Sequence, residues 1–443
     1  MSRTYRLTTF GCQMNAHDSE IMEGIMAARG WRRAESEAAA DVIIYNTCVV
    51  RDHAENRALA RLAQLKTLKA ARPGLVIGVT GCMAQKEAEA LRERLPHVDL
   101  VLGTRAIARL SPLLDRVLAT GEPQTCVEVL DDAYPAGVVP VRQRRLKALV
   151  NIIYGCDNSC SYCIVPRTRG REQSRPWREI VAEARRAVDD GARDVTLVGQ
   201  NVNSYRQGGE GADSFANLLR RVGEAAPEAW IRYITSHPRD CNEAQIRAVA
   251  ETPNVVEHFH LPVQSGGNLV LERMGRKYTR DSYMELIERV RRAVPGAAVT
   301  TDLMVGFPGE SEAEFEQTLD LARRVGFDSA YMYLYSPRPG TPAAERFRDH
   351  IPLAEKKRRL AALIELQEAI GLERARAMVG SEVEVMVEDA APRTPGDLLA
   401  RTRGDRMVIL PGPAGWIGRR LRVKVRDANA HTLFAGAVSE AVA

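Results

Sequence analysis

Three apolar runs in the first third of the chain each end in a cysteine, and their spacing restricts the fold more than any other feature. Tyr5-Arg6-Leu7-Thr8-Thr9-Phe10-Gly11-Cys12, Asp41-Val42-Ile43-Ile44-Tyr45-Asn46-Thr47-Cys48 and Leu75-Val76-Ile77-Gly78-Val79-Thr80-Gly81-Cys82 read as β-strands, and the cysteines recur after 36 and 34 residues. That interval holds one strand and one helix, and helical stretches around 18–29 and 54–70 fill it. Continuous apolar strands alternating with helices predict a parallel sheet with helices packed on it. Each cysteine then falls at the carboxyl end of a strand, the edge at which open α/β sheets bind ligands. Three thiols on one rim can meet at one metal centre. Three unconnected core cysteines are the alternative, since free cysteine is commonly buried.

A second group, Cys156-x3-Cys160-x2-Cys163, is too tight for chance: eight cysteines in 443 positions give this pattern about 0.003 times per chain. Three thiolates do not close a four-coordinate structural zinc site, and the nearest histidines, His97 and His237, are remote in sequence. An iron–sulfur cubane on three cysteines keeps one iron open for another ligand. Cys126 and Cys241 share neither context and read as structural.

The 45% hydrophobic and 27% charged composition excludes a disordered or collagen-like chain, and the length predicts about three domains. There is no uncharged apolar run of about 18 residues and no apolar signal region at the start, so a cytoplasmic protein without membrane spans is expected. The net charge of +5 permits a nucleic-acid partner without requiring one.

Residues 121–141, with Gly121, Pro123, Pro135, Gly137 and Pro140, read as a linker into a basic segment of Arg142, Arg144, Arg145 and Lys147. Strand-like runs then recur six times, at 149–154, 194–198, 231–235, 258–263, 299–305 and 329–335, with helices such as 176–189 and 280–293 between some of them. Six parallel units make an incomplete (β/α)6 barrel, whose ligands sit at the carboxyl ends of its strands. Gln200, Asn201, Ser236, Gln264 and Ser265 follow such strands and are candidates to grip a cofactor beside the second cysteine group. His237, on the same rim, reads as a local hydrogen-bonding residue. Beyond 372 the period shortens to two over 382–388, 398–403, 407–410, 421–425 and 433–438, separated by Gly404 and Pro411-Gly412-Pro413. This predicts a small antiparallel β-barrel. Arg420, Arg422, Lys424 and Arg426 lie two apart on one face, which suits phosphate or simple solvation. The expected division is an open parallel α/β domain over 1–120, a linker over 121–141, a TIM-like partial barrel over 142–372 and a β-barrel over 373–443.

Gly155-Cys156-Asp157-Asn158-Ser159-Cys160-Ser161-Tyr162-Cys163, with an aromatic before its last cysteine, resembles the cluster loop of the radical S-adenosylmethionine (SAM) enzymes. Gly11-Cys12-Gln13-Met14-Asn15, Asn46-Thr47-Cys48 and Gly81-Cys82 are similar to the amino-terminal domain of the methylthiotransferases within that superfamily. So are Pro166-Arg167-Thr168-Arg169-Gly170-Arg171-Glu172-Gln173-Ser174-Arg175 and Gly306-Phe307-Pro308-Gly309-Glu310. The last barrel resembles their RNA-binding TRAM domain, so the likeness spans essentially the whole chain.

The resemblance implies two [4Fe-4S] clusters. One, on Cys156, Cys160 and Cys163, generates the radical; the auxiliary one, on Cys12, Cys48 and Cys82, carries the sulfur. Two molecules of SAM are implied, one as methyl donor and one as radical source. Arg276 is positioned to pair with the SAM carboxylate in bidentate fashion. Asn15 would line the substrate pocket or cap a turn, and Arg169, Arg171 and Arg175 would meet the tRNA anticodon arm. Thr235-Ser236-His237-Pro238 and His260-Leu261-Pro262-Val263-Gln264-Ser265-Gly266 look most like the branch acting on N6-dimethylallyladenosine next to the anticodon. Branches acting on threonylcarbamoyladenosine or on a ribosomal protein aspartate remain open, as does a zinc-containing RNA-binding protein without catalysis. The expected partners are tRNA, an electron donor such as flavodoxin or ferredoxin, and a sulfur donor that the sequence does not identify.

Overall fold

The computed structural model describes residues 2–49, 52–128, 137–143, 145–207 and 214–442, the side chains of 52–54 and 437–442 aside. Pro135 of the expected linker and Arg144 of the basic segment lie outside the described residues. The chain divides into two compact units: Met1–Arg145 with Leu149–Asp157 and Ile164–Gln173, and Leu146–Ala148 with Asn158–Cys163 and Ser174–Ala443.

The first unit is built on a six-stranded sheet in the order Arg32–Arg33, Thr4–Thr9, Val42–Thr47, Val76–Gly81, Leu100–Leu102, Gln124–Cys126. Every pair is parallel, as the strand–helix spacing required. Ile43, Tyr45, Ile77 and Val79 pack on one face with Ala58, Leu62 and Leu65 of the helix Asp52–Ala71. Leu7, Val42, Ile44 and Val76 pack on the other with Ile21, Met22 and Met26 of the helix Gln13–Ala28. Burial on both faces is why these strands read as unbroken apolar runs. The helix Gln13–Ala28 starts earlier than the residue-18 estimate, because Asn15, His17, Asp18 and Ser19 in its first turns are buried polar residues without an amphipathic signature.

The six expected strands form two three-stranded sheets. One runs Trp230–Tyr233, Asp194–Val198, Lys147–Asn151; the other runs His258–His260, Ala298–Val305, Ser329–Leu334. An isolated bridge, Ile231 to Val255, lies between them. The expected strand 258–263 stops at His260, since Pro262 has no N–H to give to a ladder. His258 is buried, with Nε2 2.8 Å from Thr300 Oγ1. Burial pushes it from the ordinary 6.5 down to about 4. It stays neutral when folded while the unfolded chain takes up the proton. Stability from this group is therefore full above about 6.5 and is lost as pH falls toward about 4. The Tm of the iron-free chain is expected to drop across that window, and His258→Gln, which does not titrate, to flatten part of the drop.

The carboxyl-terminal strands close into a barrel in the order Glu382–Ala390, Asp397–Thr402, Met407–Pro411, Thr432–Val442, Arg420–Ala428. Its neighbours are antiparallel except Met407–Pro411 with Thr432–Val442, which run parallel. The expected small antiparallel barrel is thus present, with one parallel seam because an odd number of strands cannot close with antiparallel pairs alone. Leu421, Val423 and Val425 enter the core while Arg422, Lys424 and Arg426 are exposed, as the alternation indicated, and Arg420 is half-buried. The barrel is fastened within its unit by Arg232. This buried guanidinium donates through Nε to Asp194 Oδ2 at 2.6 Å, and through Nη1 and Nη2 to the carbonyls of Arg403 and Thr402 at 2.9 and 3.0 Å. Among the described residues no helix is long and apolar enough to cross a membrane.

Candidate functional site

Parallel register brings the first three cysteines together. Thr9 lies beside Asn46, and Thr47 beside Gly81, so the strands end level at Cys12, Cys48 and Cys82. Cys12 caps the helix Gln13–Ala28, and Cys82 opens the helix Cys82–Arg94. Two of the three thiols thus sit at the positive ends of helices, where thiolate is favoured. The preceding glycines make the approach possible. Gly11 (φ +118°) and Gly81 (φ +92°) occupy left-handed conformations, and a Cβ would lie 2.3 Å from Cys48 Cβ at the first and 2.3 Å from the Thr47 carbonyl at the second. Gly11→Ala is therefore expected to displace Cys48 and to lower reconstituted iron toward about half of a two-cubane content, measured by colorimetric iron assay.

Asn15 ties the strand ends to one another. Fully buried, it donates through Nδ2 to the carbonyls of Phe10 and Thr47 at 3.0 and 2.8 Å. Its Oδ1 accepts from Arg169 Nη2 at 2.8 Å and faces Cys12 Sγ at 3.7 Å. Arg169 Nη2 also meets Asp18 Oδ2 at 2.9 Å. A hydrogen bond from Cys48 brings the Cys12 thiol down to about 6, and the Arg169 charge adds to that against the opposing effect of burial. Burial pushes the Cys82 thiol up, against the pull of Arg169. Burial also works against the charge on Arg169, but Asp18 and the two thiols keep it protonated.

The donor set fits an iron–sulfur cluster: three thiols on one rim, one of them easily ionised, beside a fixed cation. Arg169 Nη1 and Asp18 Oδ1 are buried polar atoms with no hydrogen-bond partner among the described residues. No group of three His, Cys, Asp or Glu side chains there is gathered tightly enough for a single metal ion. A four-iron cube is wider than one ion.

The second cysteine group lies on a loop anchored from several sides. Cys156 N–H donates to the Gly170 carbonyl at 3.2 Å, and a Cβ on Gly155 would lie 2.0 Å from the Arg171 carbonyl. Further along, Cys163 N–H donates to the Cys160 carbonyl at 3.1 Å, and Ser161 N–H to that of Met274 at 2.8 Å. Arg276, the candidate partner of the SAM carboxylate, is held against the cluster loop. It is buried and donates through Nη1 to Cys160 Sγ at 3.3 Å, through Nη2 to the Pro262 carbonyl at 2.6 Å and through Nε to Tyr278 Oη at 2.7 Å.

The other rim candidates separate into two kinds. Asn201 donates to Asp240 Oδ2 at 2.7 Å and accepts from His237 N–H at 3.1 Å. Ser265 Oγ accepts from Gly267 N–H at 3.1 Å. Both hold the rim in shape. Gln200 Oε1 and Ser236 Oγ are buried with no partner among the described residues, so they can serve a ligand. Gln264 has φ +74°, and Thr235, just before Ser236, has φ +68°. Left-handed non-glycine backbone is strained and gathers at functional sites. His237 accepts from Arg239 N–H at 3.3 Å, and burial pushes it down to about 3, so it is a neutral local partner. Glu310 closes the Gly306–Glu310 turn by accepting from Gly306 N–H at 2.6 Å and Arg359 Nη1 at 2.9 Å.

Two of the arginines expected to face RNA do not reach the surface. Arg169 pairs with Asp18 and Arg175 with Glu183 at 2.9 Å, each pair buried. Arg171 is exposed, 3.4 Å from Asp157. Sequence reasoning missed Asp18 and Tyr278, which carry no spacing signal: their partners come from distant segments.

Comparison with known proteins follows this geometry. Residues 150–322 match the Radical SAM superfamily, 4–103 the uncharacterized protein family UPF0004, and 376–438 the TRAM domain. The chain is 45% identical over 429 residues to tRNA-2-methylthio-N(6)-dimethylallyladenosine synthase of Moorella thermoacetica, covering 96% of each chain. It is 42% identical to the protein of the same name from Geobacillus kaustophilus, covering 99% of this chain and 83% of that one. Among solved structures it is similar in fold to the radical S-adenosylmethionine methyltransferase TsrM of Kitasatospora setae, with a TM-score of 0.58 at 14% identity over 78% of this chain and 77% of that one. The cobalamin-dependent S-adenosylmethionine radical enzyme OxsB gives 0.55 at 12% identity over 83% and 56%.

Proposed function

This chain belongs to the radical SAM methylthiotransferases, and on that premise we propose that it transfers a methylthio group to C2 of N6-dimethylallyladenosine next to the tRNA anticodon. One observation carries the reading: Cys12, Cys48 and Cys82 meet on one level rim beside a buried cation. The Cys156, Cys160, Cys163 group alone would account for radical generation, which leaves the second trio free for a separate task.

Cys156, Cys160 and Cys163 would hold one [4Fe-4S] cluster and Cys12, Cys48 and Cys82 another; when bound, these supply the electron that cleaves SAM and the sulfur that is transferred. The chain's own side chains do the rest. Arg276 donates to Cys160 Sγ and so orients that cysteine in its loop. Gln200 Oε1 and Ser236 Oγ are acceptors placed for the ammonium or hydroxyl donors of SAM, and Asn201, Gln264 and Ser265 fix the rim that presents them. Arg422, Lys424 and Arg426 hold phosphates of the tRNA and set its register, while the adenine is read by the site itself. In this assignment residues 1–120 carry the sulfur, 121–141 link, 142–372 generate the radical and 373–443 bind RNA. A cytoplasmic setting, a flavodoxin- or ferredoxin-type reductant and a separate sulfur donor complete the proposal.

The test is a nucleoside mass profile of tRNA. A strain lacking the chain should accumulate N6-dimethylallyladenosine, and restoring it should return the 2-methylthio form. A profile changed only at threonylcarbamoyladenosine would reject the substrate assignment.

A further inference from the structure

We propose that Arg169 is a positioning residue for the auxiliary cluster: its buried guanidinium supplies the positive charge against which the thiolates of Cys12 and Cys82 are held, and Asp18 moderates that charge. The inference rests on the reading that Cys12, Cys48 and Cys82 hold an iron–sulfur cluster. Side-chain exposure is 3% for Arg169 and 2% for Asp18, so neither charge is served by solvent. Asn15 Oδ1 is the joint of the arrangement, accepting from Arg169 Nη2 at 2.8 Å and lying 3.7 Å from Cys12 Sγ. Arg169 extends from the short helix Val165–Arg169, next to Ile164, which shares a core cluster with Cys82 and Met83.

Stability does not account for such a pair. A buried salt bridge is commonly no better than apolar residues of the same volume. This one is also half-satisfied, since Arg169 Nη1 and Asp18 Oδ1 have no partner among the described residues. Buried networks of that kind are costly unless something completes them. A thiolate-ligated cluster is an anion that gains one more negative charge on reduction. A fixed cation beside it therefore favours the reduced form, and a fixed anion opposes it. Cluster potentials follow net charge, hydrogen bonding and exposure in this way.

The experiment is an anaerobic redox titration, followed by electron paramagnetic resonance, of the full-length chain with Cys156, Cys160 and Cys163 replaced by alanine, so that only the auxiliary cluster reports. Arg169→Gln is expected to lower the potential, Asp18→Asn to raise it, and Arg169→Lys to stay nearer the parent than Arg169→Gln. Shifts of opposite sign are not produced by a network that only braces the fold. If Arg169→Gln does not fold, the rise in Asp18→Asn carries the test. Unchanged potentials, or shifts of one sign in both charge-removing variants, would overturn the proposal. A parent chain that takes up no cluster would instead overturn the underlying reading, an outcome visible before any variant is made.

Discussion

Cys48→Ala is expected to bring methylthio transfer to background and reconstituted iron from about eight to about four per chain, while production of 5′-deoxyadenosine from SAM persists. The asymmetry follows from the two ligand sets. Cys48 is 1% exposed at the middle strand end, hydrogen-bonded to Cys12 and packed on Gly11. Alanine leaves two thiols on a rim where the proposed cluster takes three. The Cys156, Cys160, Cys163 loop keeps its own anchors at Gly170, Met274 and Arg276. Iron assay, nucleoside mass spectrometry and chromatography of 5′-deoxyadenosine check the three statements separately. Undiminished 2-methylthio product from Cys48→Ala would remove the sulfur source assigned to that rim.

Arg232→Ala carries the largest expected loss of stability, about 3–5 kcal/mol, measured by thermal or chemical unfolding of the full chain. It strands the Asp194 carboxylate, which is 2% exposed, and takes the donors from the carbonyls of Thr402 and Arg403. Arg185→Ala is the control. Arg185 pairs with Asp189 at 2.6 Å and with Glu228 at 2.9 Å, yet these side chains are 35–59% exposed. Its replacement is expected to leave the unfolding midpoint essentially unchanged, because exposed ion pairs are screened by solvent. Equal losses for the two variants would mean that burial does not distinguish the pairs.

What the sequence disclosed was whatever periodicity and spacing encode. The doubly buried strands before Cys12, Cys48 and Cys82 could be read because helices separate them at regular intervals, and parallel register then levels their ends. The basic face of Arg420–Ala428 could be read because side chains alternate along a strand. Pairing partners could not. Periodicity does not say that six parallel strands part into two triplets, nor which seam of a five-stranded ring runs parallel. Arginine was misread for a related reason. Arg169 and Arg175 look like surface cations until Asp18 and Glu183 are brought to them. Nor does anything in Met274-Gly275-Arg276 announce that this side chain meets Pro262, Tyr278 and Cys160.

Adjacent residues of one short segment touch both sets of ligands. The Arg169 side chain reaches the Asn15 amide beside Cys12, and the Gly170 carbonyl receives the Cys156 amide. Gly170, left-handed at φ +74°, therefore joins the geometry of the two cysteine loops, and a side chain there is expected to disturb the Asn15 contact and the Cys156 amide together.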